Sequence, residues 1–292
     1  MKNLLLTGAT GFLGSYLAKA LLAKHTIYAT RRPTSTFDNV KDIVNSIHWI
    51  DVSSVELENV FKEVPFQAVI HCATQYGRRQ TSNIDTIEAN LMLPLRLLEL
   101  GQTSNTPIFI NTDTILDKGM SYYTFSKSQF RDWMKFCSQR LVCVNIELEH
   151  FFGAGDDDSK FVTWLIHSML RGEEKLDLSP GLQTRSFIHV NDVVSAFVLL
   201  IDVAANFDKG FYNFQVGSNE PLTIRDFVTL VKDLTGNKVT FLNFGALPYR
   251  QNEVMRIEIN TNPLRHLGWS ETLTTREGLM LTIETERGKV NG

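Results

Sequence analysis

The sequence predicts an α/β chain built on a doubly wound parallel sheet, followed by a smaller C-terminal lobe. Three observations carry this. Apolar strand-like runs alternate with helical segments as far as Leu148. The first run breaks into a glycine turn made by Gly8, Gly11 and Gly14. After Gly153 the alternation loses its regularity. Strands and helices in alternation imply right-handed crossovers and a parallel sheet covered on both faces. The near-continuous apolar character of the runs agrees with burial on both sides.

In order, residues 4–7 read as a strand and 12–23 as a helix. Strands follow at 26–30, 47–50 and 68–71. The helix expected at 84–100 gains an apolar face from Leu91, Leu95 and Leu98, with Leu93 and Leu97 beside them. A strand at 108–111, a helix at 122–138 and a strand at 142–148 complete the alternation. The polar stretch 153–158 marks a lobe boundary. Beyond it, 161–170, 192–203 and 223–234 read as helical, and 186–190 and 211–216 as extended. This gives a first domain at 1–152 with a returning segment at about 187–216. The second lobe is then 153–186 plus 217–292, placed to close over a substrate beyond the carboxyl ends of the strands.

Composition narrows the function classes. The chain has 29 Lys and Arg against 32 Asp and Glu, a net charge of −3, so no basic surface points to nucleic acid. Its three cysteines, Cys72, Cys137 and Cys143, have neither metal-ligand nor disulfide-framework spacing, which fits a reducing cytoplasm and no metal. Met1 to Asn3 leads directly into the first strand, so no signal peptide is expected. No apolar run reaches the roughly 20 residues of a membrane span.

The glycine turn has a nucleotide-binding logic. Gly8 permits the sharp turn, Gly11 lets the backbone approach a phosphate, and Gly14 lets helix and strand pack closely. Thr10 through Gly14, with Phe12 and Leu13, then presents a helix N-terminus to a pyrophosphate. A carboxylate at the end of the second strand usually grips the adenosine ribose of NAD. Here Thr30 occupies that position and Arg31 and Arg32 follow, which suits the 2′-phosphate of NADPH better than NAD. The alternative is that both arginines are solvated surface charges. Asp51 and Val52 are candidates for adenine contacts, and Asp51 reads equally as a turn residue.

Tyr123 and Lys127 lie four apart in the helix after the fifth strand, hence on one face. A phenol with pKa near 10 is a poor acid–base group at neutral pH. A neighbouring ammonium favours the phenolate and lowers that value. Thr112, at the carboxyl edge of the fifth strand, is the candidate to hold a substrate carbonyl oxygen, with Thr114 as second choice.

These motifs resemble the extended short-chain dehydrogenases/reductases of the NAD-dependent epimerase/dehydratase family, over essentially the whole length. The resemblance implies a Rossmann sheet in which Gly8, Gly11 and Gly14 hold the pyrophosphate. It makes Thr112, Tyr123 and Lys127 the catalytic triad, and places Ala73 and Asn90 beside the cofactor. Two departures stand out. The gap from Thr112 to Tyr123 is short for the family, and the family's arginine before the sixth-strand motif is replaced in the stretch from Ile146 to Gly153.

Dehydratases of the family carry Asp-Glu after the threonine, whereas this chain has Asp113-Thr114, so elimination is not expected. The C-terminal half, at 147–165, 181–192 and 249–255, resembles the CDP-paratose/CDP-abequose synthase group of 4-ketoreductases. That resemblance implies NADPH-dependent reduction of a CDP-4-keto-3,6-dideoxyglucose-like sugar for surface polysaccharide. It implies substrate contacts from Asp113, His150, Phe161, Arg185 and Arg250, with Lys160 near the nucleotide. Arg185 reads alternatively as a surface ion-pair residue, and Phe161 as a core residue. Relatives of this kind pair through the helices matching 84–100 and 122–138, so a homodimer with a four-helix bundle is expected. The other readings are an NAD-retaining sugar-nucleotide epimerase and, in a different class, a non-catalytic NADP-binding regulator.

Overall fold

The fold is that of a computed structural model, and the described residues are 1–52, 54–77, 81–250 and 253–290. In chain order they form β1 (Lys2–Thr7), α1 (Phe12–Leu21), β2 (His25–Arg31), β3 (His48–Asp51), α2 (Ser54–Glu63) and β4 (Phe66–His71). Next come α3 (Asn83–Ile87), a π-helical turn (Glu88–Met92), α4 (Leu93–Thr103), β5 (Ile108–Thr114), α5 (Tyr122–Cys137) and β6 (Val142–Leu148). Then follow β7 (His150–Phe152), α6 (Phe161–Arg171), β8 (Lys175–Leu178), β9 (Thr184–Arg185), β10 (Phe187–His189) and α7 (Val190–Val203). The remainder is β11 (Gly210–Val216), β12 (Leu222–Thr223), α8 (Ile224–Thr235), β13 (Phe241–Phe244), α9 (Asn262–His266) and α10 (Thr275–Val290).

Seven strands form one sheet in the order β11-β6-β5-β4-β1-β2-β3. The pairings among β1 to β6 are parallel. The order runs outward from β1 in one direction through β2 and β3, and from β4 in the other through β5 and β6. The reversal opens a crevice at the carboxyl ends of β1 and β4, where open α/β sheets take their ligands. A buried core of Leu5, Val69, Phe109, Phe130 and Met134 packs beneath it.

Three helices escaped the sequence reading: α2, the five-residue α9 and α10. Over α2 only scattered positions are apolar, and Leu57 and Phe61 carry its contribution to the core. In α10 the buried positions are Leu279 and Ile283 among Thr275, Gly278, Thr282 and Glu286, a stripe too polar to announce itself. The helix expected at 84–100 is real but divided, because the π turn inserts an extra residue around Asn90.

The chain divides into two compact units. One comprises Met1–Leu148, Val194–Gln215 and His266–Trp269. The other comprises Glu149–Val193, Val216–Arg265 and Ser270–Gly292. The boundaries differ from the expected ones for a local reason. β10 pairs in parallel with β7, so residues 187–193 and 149–152 stay in the second unit. In the first unit, the Trp269 indole donates to Ser195 Oγ at 3.0 Å, which fixes the short third segment. The second unit has its own core, in which Phe187 and Phe227 stack at 3.6 Å. Its Asp192 carboxylate accepts from the backbone N–H groups of Thr272 and Leu273.

Candidate active site

The crevice after β1 is shaped by absent side chains. Gly8 adopts φ +72°, and a Cβ there would lie 2.7 Å from the Ala73 nitrogen. A Cβ on Gly14 would meet the Gly8 carbonyl oxygen at 2.0 Å. Gly11 donates its N–H to that same carbonyl at 2.9 Å and starts α1 without a side-chain cap. An uncapped helix start aimed from such a turn offers backbone donors to an anion. The residues present therefore fit the pyrophosphate of a dinucleotide. The Leu13 side chain is buried in the core, so any part it takes is through its backbone. Gly14→Ala is expected to cost about 1–3 kcal/mol as overpacking and to weaken dinucleotide binding as the turn shifts. Urea unfolding and fluorescence titration check both, and wild-type values in both would refute the close-packing account.

Thr7 pins the β4 side of the crevice. Its hydroxyl oxygen accepts the N–H groups of Cys72 and Ala73, each at 3.1 Å, and lies 2.9 Å from His71 Nδ1. With two donors already pointing at that oxygen, its own proton goes to His71, which makes Nδ1 the acceptor. Burial first, and the Lys127 charge second, hold the His71 imidazole well below its ordinary pKa, so it is neutral.

At the end of β2, Thr30 is buried and Arg31 is held by Asp51, its register partner on β3, with Nε to Oδ1 at 2.8 Å. Asp51 thus serves Arg31 where an adenine contact was expected. Val52 donates its N–H to the Arg31 carbonyl. The Arg32 backbone forms a turn with Ser35, and its side chain is exposed. The Thr10 carbonyl accepts from Asn39 Nδ2 at 3.2 Å.

The chemistry gathers at the end of β5. The Ser121 hydroxyl caps α5 in a reciprocal box with Thr124, which sets where the helix begins. In the first turn, Tyr123 is half-buried, its ring 5.0 Å from that of Tyr76. Lys127 is 1% exposed and donates from Nζ to the Thr112 carbonyl at 2.7 Å. Burial lowers its pKa from 10.5 to about 8, with the Asp113 charge opposing the shift. The Thr112 hydroxyl donates to Cys72 Sγ at 3.2 Å. Burial pushes that thiol up to about 11, so it stays protonated and inert as a nucleophile. Hydroxyl, phenol and ammonium therefore come from one strand end and one helix face. Thr114 is buried in the sheet, and its hydroxyl accepts from the Leu116 N–H.

Two expected ligand contacts are corrected by the geometry. Asn90 is fully buried, and its amide is consumed within the protein. It accepts from Gln75 N–H at 2.9 Å and donates to the Gln75 carbonyl at 2.8 Å and Ser126 Oγ at 3.1 Å. It shapes the loop after β4 instead of touching a cofactor. Asp113 has no exposed side-chain surface. The two-residue period of β5 sends it to the face opposite Thr112. There it accepts from Arg131 Nε at 2.6 Å, Asn145 Nδ2 at 3.0 Å and Thr114 N–H at 2.8 Å.

The remaining expected substrate residues lie in the second unit. His150 is half-buried, edge-on to Phe187, with Nδ1 3.6 Å from Glu149 Oε1. Phe161 packs against Phe227 and Trp164 at the margin of the core, as its core reading anticipated, and Lys160 precedes it at the start of α6. Arg185 is nearly buried and bound to Glu253, so it is an internal ion pair and not a surface one. Arg250 is exposed, and its carbonyl accepts from Glu253 N–H at 3.1 Å. Gln251 and Asn252 of the same motif lie outside the described residues.

Sequence reasoning missed Thr7, Cys72, Ser126 and Arg131. For Arg131 a signal existed: Asn-x-Asp, Asn-x-Glu and Asn-x-Gln recur in β5, β6 and β11, placing polar residues at alternate positions of three neighbouring strands. Among the described residues there is no group of three or more His, Cys, Asp or Glu able to hold a metal ion. Among them, too, no helix is long and apolar enough to cross a membrane.

Comparison with known proteins agrees with the fold and gives the family. CDP-abequose synthase of Salmonella muenchen is 31% identical over 289 residues, covering 95% of this chain and 96% of the relative. The protein of the same description from Salmonella typhimurium is 28% identical, covering 94% and 95%. Among solved structures, UDP-glucose 4-epimerase of Thermotoga maritima with UDP-glucose superposes with a TM-score of 0.85 at 21% identity, covering 99% of each chain. dTDP-glucose 4,6-dehydratase of Bacillus anthracis in complex with NAD gives 0.84 at 20% identity, covering 100% of this chain and 98% of the other. The profile of the NAD dependent epimerase/dehydratase family matches residues 4–217, from the first strand through the last strand of the large sheet, and the chain belongs to that family.

Proposed function

We propose that this enzyme reduces the 4-keto group of a nucleotide-linked deoxysugar, of the CDP-4-keto-3,6-dideoxyglucose type, with NADPH. The observation that carries the reading is the buried Lys127 ammonium bonded under Thr112, one helical turn from Tyr123. Similarity to two Salmonella CDP-abequose synthases supports the substrate class. In the glycine crevice, Gly8, Gly11, Gly14 and the start of α1 would hold the dinucleotide, whose nicotinamide supplies a hydride when bound. The chain's own groups do the rest. The Thr112 hydroxyl turns from Cys72 to the carbonyl oxygen and stabilises the charge that develops there. Tyr123 gives its proton to that oxygen, and the Lys127 charge keeps the phenolate left behind from being costly.

The preference for NADPH rests on Arg31 and Arg32 in place of an acidic ribose ligand. Replacing both by Ala is expected to weaken NADPH by roughly 10- to 100-fold and NADH by far less, measured by fluorescence titration. Equal losses for the two cofactors would overturn the preference. Arg250 is the exposed cation proposed for the substrate diphosphate, while Arg185 would have to leave Glu253 to join it. Exposed Tyr122, Phe125, Trp133 and Phe136 on α5 support pairing of two copies through this helix and its neighbours.

The direct test is NADPH oxidation with CDP-4-keto-3,6-dideoxyglucose, set beside UDP- and dTDP-linked 4-keto sugars. Turnover with the CDP sugar is the expected result. A second reading, 4-epimerisation with retained NAD, draws on the fold shared with the Thermotoga 4-epimerase. It would give interconversion of 4-hydroxy sugars with no net NADPH consumption. Binding of NADPH with turnover of none of these substrates would point instead to a regulator.

A further inference from the structure

A ladder of polar side chains lies on one face of the large sheet, under α5. Asn111 and Asp113 come from β5, Asn145 and Glu147 from β6, and Asn213 and Gln215 from β11. Asn111 pairs in register with Asn145, and Asp113 with Glu147. Asn145 bridges its neighbours, accepting from Asn111 at 2.8 Å and donating to Asn213 at 2.7 Å and Asp113 at 3.0 Å. Gln215 donates to Glu147 at 2.8 Å. Arg131 closes the ladder from above. It reaches Asp113 at 2.6 Å, Glu147 at 2.9 Å and the Thr114 carbonyl at 3.3 Å.

Such a cluster is a poor way to gain stability. Two nearly buried carboxylates face one guanidinium, and well-packed apolar side chains would hold the same space as well or better. What the cluster does provide is register. Lys127 and Arg131 are successive turns of α5, and their partners Thr112, Asp113 and Thr114 are consecutive on β5. The helix that carries the phenol is thus clasped twice to the strand end that carries the hydroxyl. Removing the second clasp leaves the lysine bond and the core packing of Phe130 and Met134 to hold that spacing.

We propose that Arg131 is a positioning residue: by gripping Asp113, Glu147 and the Thr114 carbonyl it fixes Tyr123 and Lys127 against Thr112, and Asp113 in turn supplies the negative charge that Lys127 faces. The inference rests on the reading of Thr112, Tyr123 and Lys127 as the reacting groups. It is independent of which sugar is bound. Around Lys127 the titratable and charged groups are Asp113 on β5, His71 and Cys72 at the end of β4, and Tyr123 and Arg131 on its own helix. His71 and Cys72 are neutral, so Asp113 is the negative charge in the set.

Two variants separate position from charge. D113N keeps the shape of the side chain and removes its charge. R131K keeps the charge, but a single ammonium cannot span three acceptors. In lysine-labelled protein, with Lys127 assigned through K127M, the Lys127 side-chain titration is followed by NMR without any substrate. Expected are a shift of that titration to lower pH in D113N and no shift in R131K. With the keto-sugar nucleotide, R131K is expected to lose about 10- to 100-fold in kcat, the cost of a misplacement near 1 Å, with KM little changed. Thermal melts confirm that each variant is folded at the assay temperature. Should R131K melt below it, D113N carries the test. An unmoved Lys127 titration in D113N, or wild-type kcat in folded R131K, overturns the proposal. If wild-type enzyme turns over no keto sugar, the functional reading fails, and the titration still decides the electrostatic part.

Discussion

Tyr123→Phe is expected to lower turnover by about 10²–10⁴-fold, the usual contribution of a positioned general acid. NADPH binding should stay within a few fold of wild type. The variant removes one oxygen. The ring keeps its packing against Tyr76, α5 keeps its Ser121 cap, and Lys127 keeps its bond to Thr112. On the proposed mechanism, the oxyanion formed on reduction would then have no phenolic proton at hand and would wait for water. The measurements are steady-state kcat with a 4-keto sugar nucleotide and a fluorescence titration of NADPH. A kcat within threefold of wild type would remove Tyr123 from the acid role. A large loss of NADPH affinity would instead make it a binding residue.

The framework of the first unit was legible because its signals are local. Gly8 and Gly14 are each required by a backbone approach, a Cβ on Gly11 would sit tightly at 3.2 Å from the Gly8 carbonyl oxygen, and a sequence shows where glycine stands. Tyr123 and Lys127 were legible because helix periodicity alone puts them on one face. Long-range pairing was not. Nothing around Asp51 says that Arg31 is its partner, since that bond is fixed by the parallel register of β2 with β3. Asp113 was misread for a related reason. The hydroxyl of its neighbour Thr112 turns to Cys72, but adjacent strand residues point to opposite faces, so the carboxylate went to the other face, under Arg131. Asn90 looked like a ligand-facing amide, whereas a π turn carries it into the loop at Gln75. The second unit was the least legible part. Its small sheets pair β7 with β10, β9 with β12 and β8 with β13, and no periodicity announces those partners.

Lys127→Met is expected to separate stability from activity, and the sign of its pH dependence follows from burial. The ammonium has an ordinary pKa of 10.5 and, buried in the folded protein, one of about 8. Between these two values the unfolded chain binds more protons than the folded one, so wild-type stability rises with pH in that window. Below pH 8 the folded state carries the full penalty of a buried charge, and above about 10.5 it carries none. The difference corresponds to about 3 kcal/mol. In the Met variant the penalty is absent at every pH. The gap between wild type and variant should therefore shift by about 3 kcal/mol in favour of wild type from pH 7 to pH 10.5. The lost bond to the Thr112 carbonyl adds an offset of about 1.5–3 kcal/mol while Lys127 is charged, and less once it is neutral, which trims the slope without reversing it. On the proposed mechanism, turnover of the variant should fall to background below about pH 8, where wild-type Lys127 is charged. Urea unfolding of the apo protein at a series of pH values, paired for the two chains, supplies the comparison. Parallel stability curves would mean that Lys127 titrates as it does in water and carries no burial penalty in the folded protein.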